Sequence, residues 1–237
     1  MKLQYLGDSR DAFKWDLLHW ICTRSLPRFK ELVYVPMLTP HNENTNEGKM
    51  PHERFECRGF IRNFVASLKE EPRSLERILD LGSAIQNEPN FSISLFSSHK
   101  YIKGANGRSD YWSGFTPEKY NNSIVFFDPD IGFETRTQRG TKWIRHDELV
   151  GFLSHLPKTS VAVVYQHRPH RKWSDLFIDL KKSLSYVHTA VAAYERDLAF
   201  VALAGNASAG RRVIAAVESY AHEHGVVRHN VLKQSHV

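Results

Sequence analysis

Apolar and polar positions along the chain follow two periods, and the changes from one to the other mark out its elements. Between Asp11 and Arg24 the apolar side chains Phe13, Leu17, Leu18 and Ile21 recur at helical spacing, and Asp11 stands where a carboxylate caps a first turn. Pro27 marks the exit, and ELVYVPML after it reads as a strand whose Pro36 lacks an amide to pair. The stretch from Thr39 to His52 is almost devoid of apolar residues and reads as a loop. Phe60, Ile61, Phe64, Val65 and Leu68 restore the helical period, SLERILDLGSAI predicts a further helix begun by Ser74, and FSISLFSS alternates as a half-buried strand. Residues 100–122, rich in Gly, Asn, Ser and Lys, read as loop with short irregular elements.

Two segments are apolar on both alternations, as strands covered on both faces are: SIVFFD, Ser123 to Asp128, and TSVAVVYQH, from Thr159 to about Gln166. Between them HDELVGFLSHL places Leu149, Phe152, Leu153 and Leu156 on one helical face, which makes a βαβ unit with parallel strands. WSDLFIDLKKSLSY and RRVIAAVESYAHEHG predict helices, AVAAYERDLAFVALAG holds one or two strands, and the polar tail RHNVLKQSHV is expected to fray. The expected fold is α/β: a mostly parallel sheet with helices on both faces. Residues 1–237 are expected to form one domain, with loop or small helical insertions near 39–72 and 100–122.

Composition adds bounds. With 41% hydrophobic and 24% charged residues the chain reads as a folded soluble protein, and no apolar run approaches the roughly 20 residues that span a bilayer. The polar start MKLQYLGDSRDAFKW lacks the apolar core of a signal peptide, so a cytoplasmic location is expected, with no membrane partner. Cys22 and Cys57 are too few for a disulfide scaffold. A net charge of +6 is compatible with RNA or DNA as partner and equally with a solvated basic face; oligomeric state is not legible.

The chemistry gathers at strand ends, where open parallel sheets bind ligands. FFDPDIGFE brings Asp128, Asp130 and Glu134 within a few residues, with Pro129 fixing a turn and Gly132 allowing close approach. Such carboxylates could accept hydrogen bonds from an amine, hold Mg²⁺ or Mn²⁺, orient a general base, or simply build a turn. At the second strand end Tyr165, Gln166, His167 and Arg168, followed by His170 and Arg171, form a positive rim suited to an anion. Asp8, Asp11 and Lys14 near the first helix either cap it or line the same crevice, and Trp112 is the best candidate for stacking on a base.

YLGDSRDAFKWDLL, with Gly7, Asp8, Asp11, Lys14 and Trp15, resembles the start of the bacterial large-subunit ribosomal-RNA N6-adenine methyltransferase family, and Asp128-Pro129-Asp130-Ile131 resembles the catalytic tetrapeptide of amino-methyltransferases. Over nearly its whole length the chain is also similar to a family of uncharacterised bacterial and phage proteins, a likeness that carries no activity. The methyltransferase resemblance implies a Rossmann-like, methyltransferase-like sheet, S-adenosylmethionine as cofactor, contacted by Asp8, Lys14 and Thr39, and an adenine amino group as acceptor. Asp128, Pro129 and Asp130 would then orient the amine, Phe133 or Trp112 would stack on the base, and Tyr165, Gln166, His167 and Arg168 would hold substrate. The glycine-rich cofactor loop of such enzymes is replaced here by VPMLTPHNENTNEGK, and Ile131 stands where a stacking aromatic is usual. Two alternatives stand beside this expectation: a Mg²⁺- or Mn²⁺-dependent nuclease or phosphohydrolase built on Asp128, Asp130 and Glu134, and a non-catalytic nucleic-acid-binding module.

Overall fold

The structure is a computed structural model and describes residues 1–40, 55–82, 91–97, 99–104, 106–135, 137–168, 172–184, 187, 189–224 and 231–235. In chain order the strands are β1 (Glu31–Pro36), β2 (Ser92–Leu95), β3 (Ser123–Asp128), β4 (Gly132–Phe133), β5 (Trp143–Ile144), β6 (Val161–His167), β7 (Thr189–Glu195), β8 (Leu198–Ala204) and β9 (Val231–Ser235). The α-helices are α1 (Ser9–Arg24), α2 (Gly59–Ser67), α3 (Asn106–Trp112), α4 (His146–His155), α5 (Trp173–Ser183) and α6 (Ala207–Glu223).

A seven-stranded sheet runs in the order β2-β1-β3-β6-β8-β7-β9. Its first half is parallel, β1 pairing with β2 and β3, and β3 with β6. Its second half is antiparallel throughout, β6 to β8, β8 to β7 and β7 to β9. The expectation of a mostly parallel sheet is therefore corrected to a mixed one: the short β7–β8 turn can only return the chain antiparallel. The β3–α4–β6 unit has the strand, helix, parallel-strand order that the burial pattern of SIVFFD implied.

Side chains alternate across the sheet into two cores. Leu32, Tyr34, Ile124, Phe126 and Val163 pack in one layer with Phe13 of α1, Val65 of α2 and Val213 of α6. Val33, Val35, Val125, Phe127 and Val164 pack in the other with Tyr111 of α3, Leu149 of α4 and Leu176 of α5. Each such side chain, taken from water to full burial, contributes roughly 1.5–3 kcal/mol before chain entropy is counted.

Several local expectations change. Helix α1 starts at Ser9, and its cap is Asp8 rather than Asp11; Asp8 accepts from the amides of Arg10 and Asp11. SLERILDLG forms a 3₁₀ helix over Leu75–Gly82, and residues 83–90 lie outside the described part. The tail read as frayed contributes β9, paired with β7. The 100–122 stretch contains α3, and the loop expected from Thr39 to His52 is described only through residue 40.

Candidate active site

At the carboxyl ends of β3 and β6, opposite the start of α1, lies a cavity of about 510 Å³. Its walls carry Asp8, Arg10, Asp11 and Lys14 from the first turns of α1 and the residue before them, Asp128, Pro129 and Asp130 from the end of β3, and Tyr165 and His167 from β6. The acidic and the basic strand ends thus face one space, closed on another side by Met1, Lys2 and Tyr5.

Local backbone requirements set this arrangement. Gly7 holds a φ of +81°, and a Cβ there would come within 2.8 Å of Lys69 Cγ and 2.9 Å of the Val65 carbonyl, so glycine lets the chain turn tightly into α1 against α2. Asp8 Oδ1 accepts from Arg10 N at 2.8 Å and Asp11 N at 3.3 Å, while Asp11 Oδ2 accepts from Gly7 N at 2.6 Å. One helical turn later Lys14 Nζ lies 2.6 Å from Asp11 Oδ1 and donates to Asp128 Oδ2 at 2.9 Å. Tyr34 also donates to Asp128 Oδ2, at 2.7 Å.

These contacts divide the carboxylates by role. Asp11 and Asp128 are anchors that fix the Lys14 ammonium, and one of its three N–H donors remains for a ligand. Burial disfavours the lysine's charge, but Asp11 and Asp128 outweigh it and hold the Lys14 pKa above the ordinary lysine value. Burial, reinforced by the charge on Asp128, raises the Tyr34 phenol well above its usual range and keeps it a donor. Asp8 differs from both anchors. One oxygen is bound to the helix amides, whereas Oδ2 faces Arg10 Nη1 at 3.8 Å, beyond hydrogen-bonding range. Burial, followed by the charge of Asp11, raises the Asp8 pKa to about 6.

Arg10 also donates to Asp197 Oδ2 at 3.0 Å in the β7–β8 turn, which ties the cavity wall to the antiparallel half of the sheet. Asp130 lies farther out, with Thr39 Oγ1 at 3.4 Å and Lys142 Nζ at 3.9 Å.

Other residues singled out from the sequence lie elsewhere. Phe133 is buried, and its amide donates to Gln166 Oε1 at 2.9 Å, so that Gln166 braces the turn after β3. Trp112 packs against Phe96, Phe115 and Phe152 in the opposite core and donates to Glu148 Oε1 at 2.7 Å. Neither ring lines the cavity beside Asp128. Glu134 turns away along β4, accepts from His146 N at 2.9 Å and lines a second cavity together with Gln166 and Arg168. Residues 169–171, with His170 and Arg171 of the expected basic rim, lie outside the described part. The members of this site that one-turn spacing alone did not reveal are Tyr34 and Arg10, brought in by sheet register and by the distant Asp197.

The metal alternative is corrected on this geometry. Among the described residues no group of three His, Cys, Asp or Glu side chains converges to hold an ion. The physical reason is that Lys14 occupies the space between Asp11 and Asp128, while the bend at Gly132 carries Glu134 off to the second cavity. Among the described residues, no helix is long and apolar enough to cross a membrane.

No family model matches the chain. A stretch of 87 residues is 30% identical to the probable carboxylic ester hydrolase LipM of Mycobacterium tuberculosis (strain ATCC 25618 / H37Rv), covering 37% of this chain and 19% of that protein. The chain therefore corresponds to under a fifth of that relative's length. Likeness to a hydrolase runs against the expectation of an adenine amino-methyltransferase, and with it against S-adenosylmethionine as cofactor. The glycine-rich loop that would cradle such a cofactor is likewise missing from the sequence, so both expectations are corrected.

Proposed function

We propose that the chain is a hydrolase that cleaves a carboxylic ester in the cavity beside Asp8 and Lys14. The observation that carries the proposal is the cavity's division of labour: an ammonium fixed between two anchoring carboxylates next to a third carboxylate with an oxygen to spare. The likeness to a probable carboxylic ester hydrolase supports the choice of reaction.

In this reading Asp8 Oδ2 takes a proton from a water molecule as its oxygen attacks the ester carbonyl. Lys14, with Arg10 at its side, stabilises the negative charge that develops on the carbonyl oxygen, and needs no rearrangement because Asp11 and Asp128 already hold it. His167, on the far wall, donates the proton that the departing alkoxide needs; acid and alcohol leave, and Asp8 returns its proton to solvent or to His167. Water is the nucleophile because, among the described residues, no serine or cysteine lines the cavity. Ser208, which follows β8 at a strand-to-helix turn like the nucleophilic serine of many ester hydrolases, has Asn206 where the first glycine of that motif stands, and its side chain is exposed. Because β8 runs antiparallel to β6, Ser208 lies at the other end of the sheet.

Hydrolysis of 4-nitrophenyl acetate tests the reading. Wild-type chain is expected to turn over, Asp8→Asn to lose roughly 100-fold or more of kcat/KM, and Ser208→Ala to match wild type. Folded wild-type protein without turnover, or an Asp8→Asn variant as active as wild type, would contradict it.

A further inference from the structure

Beside the first cavity lies a second, of about 760 Å³. Ile131 and His167 line both, and a backbone hydrogen bond from His167 N to Ile131 O at 2.6 Å makes the ridge between them. Both volumes fall in the range of roughly 300–1,000 Å³ typical of small-molecule sites.

The second cavity has a different character from the first. Leu176 and Leu180 of α5 and the buried Phe133 give it apolar walls, and Trp143 of β5 presents a half-buried indole to it. The backbone carrying that indole is pinned unusually well. Arg108, 3% exposed, donates to the Trp143 carbonyl at 2.6 Å and to the Gly140 carbonyl at 3.2 Å, and is itself held by Glu148 at 2.6 Å. Gly140 supplies the φ of +133° at which the chain turns before Trp143, and a Cβ there would meet the ring only at an ordinary contact distance of 3.7 Å. A buried guanidinium is thus committed to fixing the backbone of a tryptophan that stays partly exposed. An indole held this way is preorganised to stack on a flat partner, with little ordering cost left for the ligand to meet. Thr135 and Gln138 at the same cavity supply hydrogen-bonding groups for polar atoms at a ring's edge.

We infer that the second cavity is a ring pocket for a planar aromatic group stacked on Trp143. Resting on the hydrolase reading, this makes the substrate an aryl-bearing ester laid across the ridge, its aromatic part in the larger cavity and its carbonyl beside Asp8 and Lys14. His167 on the ridge then faces the oxygen that joins the two parts.

The test uses 7-hydroxy-4-methylcoumarin, a flat bicyclic alcohol, and its acetate ester, with the folded state of each variant checked by circular dichroism. Calorimetry is expected to show saturable binding of the alcohol to the full chain. Binding should be weaker by about tenfold or more in Trp143→Ala, from lost stacking and apolar contact, and in Ser183→Trp, which fills the cavity from the exposed end of α5. Asp8→Asn should bind as wild type does while failing to cleave the acetate. No saturable binding by folded wild type, or equal binding in both pocket variants, overturns the ring pocket. Binding that depends on Trp143 without cleavage of the acetate keeps the ring pocket and sinks the hydrolase reading; cleavage with binding indifferent to both variants does the reverse.

Discussion

Lys14 shows how much can depend on one buried charge. Its ammonium offsets two carboxylates, Asp11 and Asp128, that are each about 2% exposed. Replacing it by methionine keeps the length of the side chain and removes the charge, leaving both anions buried without their counter-ion. Urea denaturation of Lys14→Met at pH 7 is expected to show a loss of about 3–5 kcal/mol. The unpaired carboxylates would then bind protons more readily in the folded than in the unfolded chain, so the deficit should shrink as pH is lowered. Asp8 obeys the same linkage without mutation. Its pKa rises on folding from 3.8 to about 6, so the folded state holds more protons in that window and loses stability as pH climbs through it. Asparagine at position 8 can still accept from the helix amides, so Asp8→Asn should keep the cap and abolish that pH dependence in urea titrations.

Gly132 makes the corresponding point for an element. Its φ of +143° sets the bend from β3 into β4, and a Cβ there would stand 2.2 Å from Gln166 Oε1. That amide cannot swing away cheaply, since it is buried, accepts from Phe133 N and donates to the His167 carbonyl at 2.5 Å. Gly132→Ala is expected to cost about 1–3 kcal/mol in denaturant melts, and to lower ester cleavage because the ridge between the cavities shifts. The elements differed in how readily they could be read. SIVFFD and the first five residues of VAVVYQH were legible because double-sided burial leaves a continuous apolar run. Helix α1 was legible only on its apolar face: Asp11, Lys14, Asp16 and His19 are buried too, because α2, α6 and the cavity enclose the helix on its other sides. Hydropathy cannot show such burial, since the partners that make it tolerable, Asp128 for Lys14 and Arg58 for Asp16, lie 114 and 42 positions away. The β4–β5 pair was invisible for another reason: two-residue strands have no period, and theirs are held by Arg108 and Gln166 from other elements.

For the molecule as a whole, the decisive feature is where the sheet changes from parallel to antiparallel. β6 sits at that change, parallel to β3 on one side and antiparallel to β8 on the other, so its carboxyl end meets both the end of β3 and the β7–β8 turn. Arg168 N donates to the Asp197 carbonyl at 2.7 Å and Arg10 to the Asp197 side chain, which lashes the turn to the cavity rim. The sequence placed the acidic and basic strand ends correctly along the chain but misjudged the second half of the sheet, because strand direction there depends on the length of a turn rather than on hydropathy. Convergence of Asp128 with Tyr165 and His167 followed from the parallel β3–β6 pair; separation of Glu134 from them needed the bend at Gly132. The proposal stands or falls on ester hydrolysis in this shared cavity with Asp8 as the base. Its most direct test is the pH profile of kcat/KM for 4-nitrophenyl acetate in wild type and Asp8→Asn. The wild-type rate is expected to rise with pH, bend near pH 6 as Asp8 ionises and then level, because 4-nitrophenolate departs as the anion and needs no proton from His167; that rise should be missing from the variant. A wild-type rate no faster than buffer, or superimposable profiles for the two proteins, would contradict it.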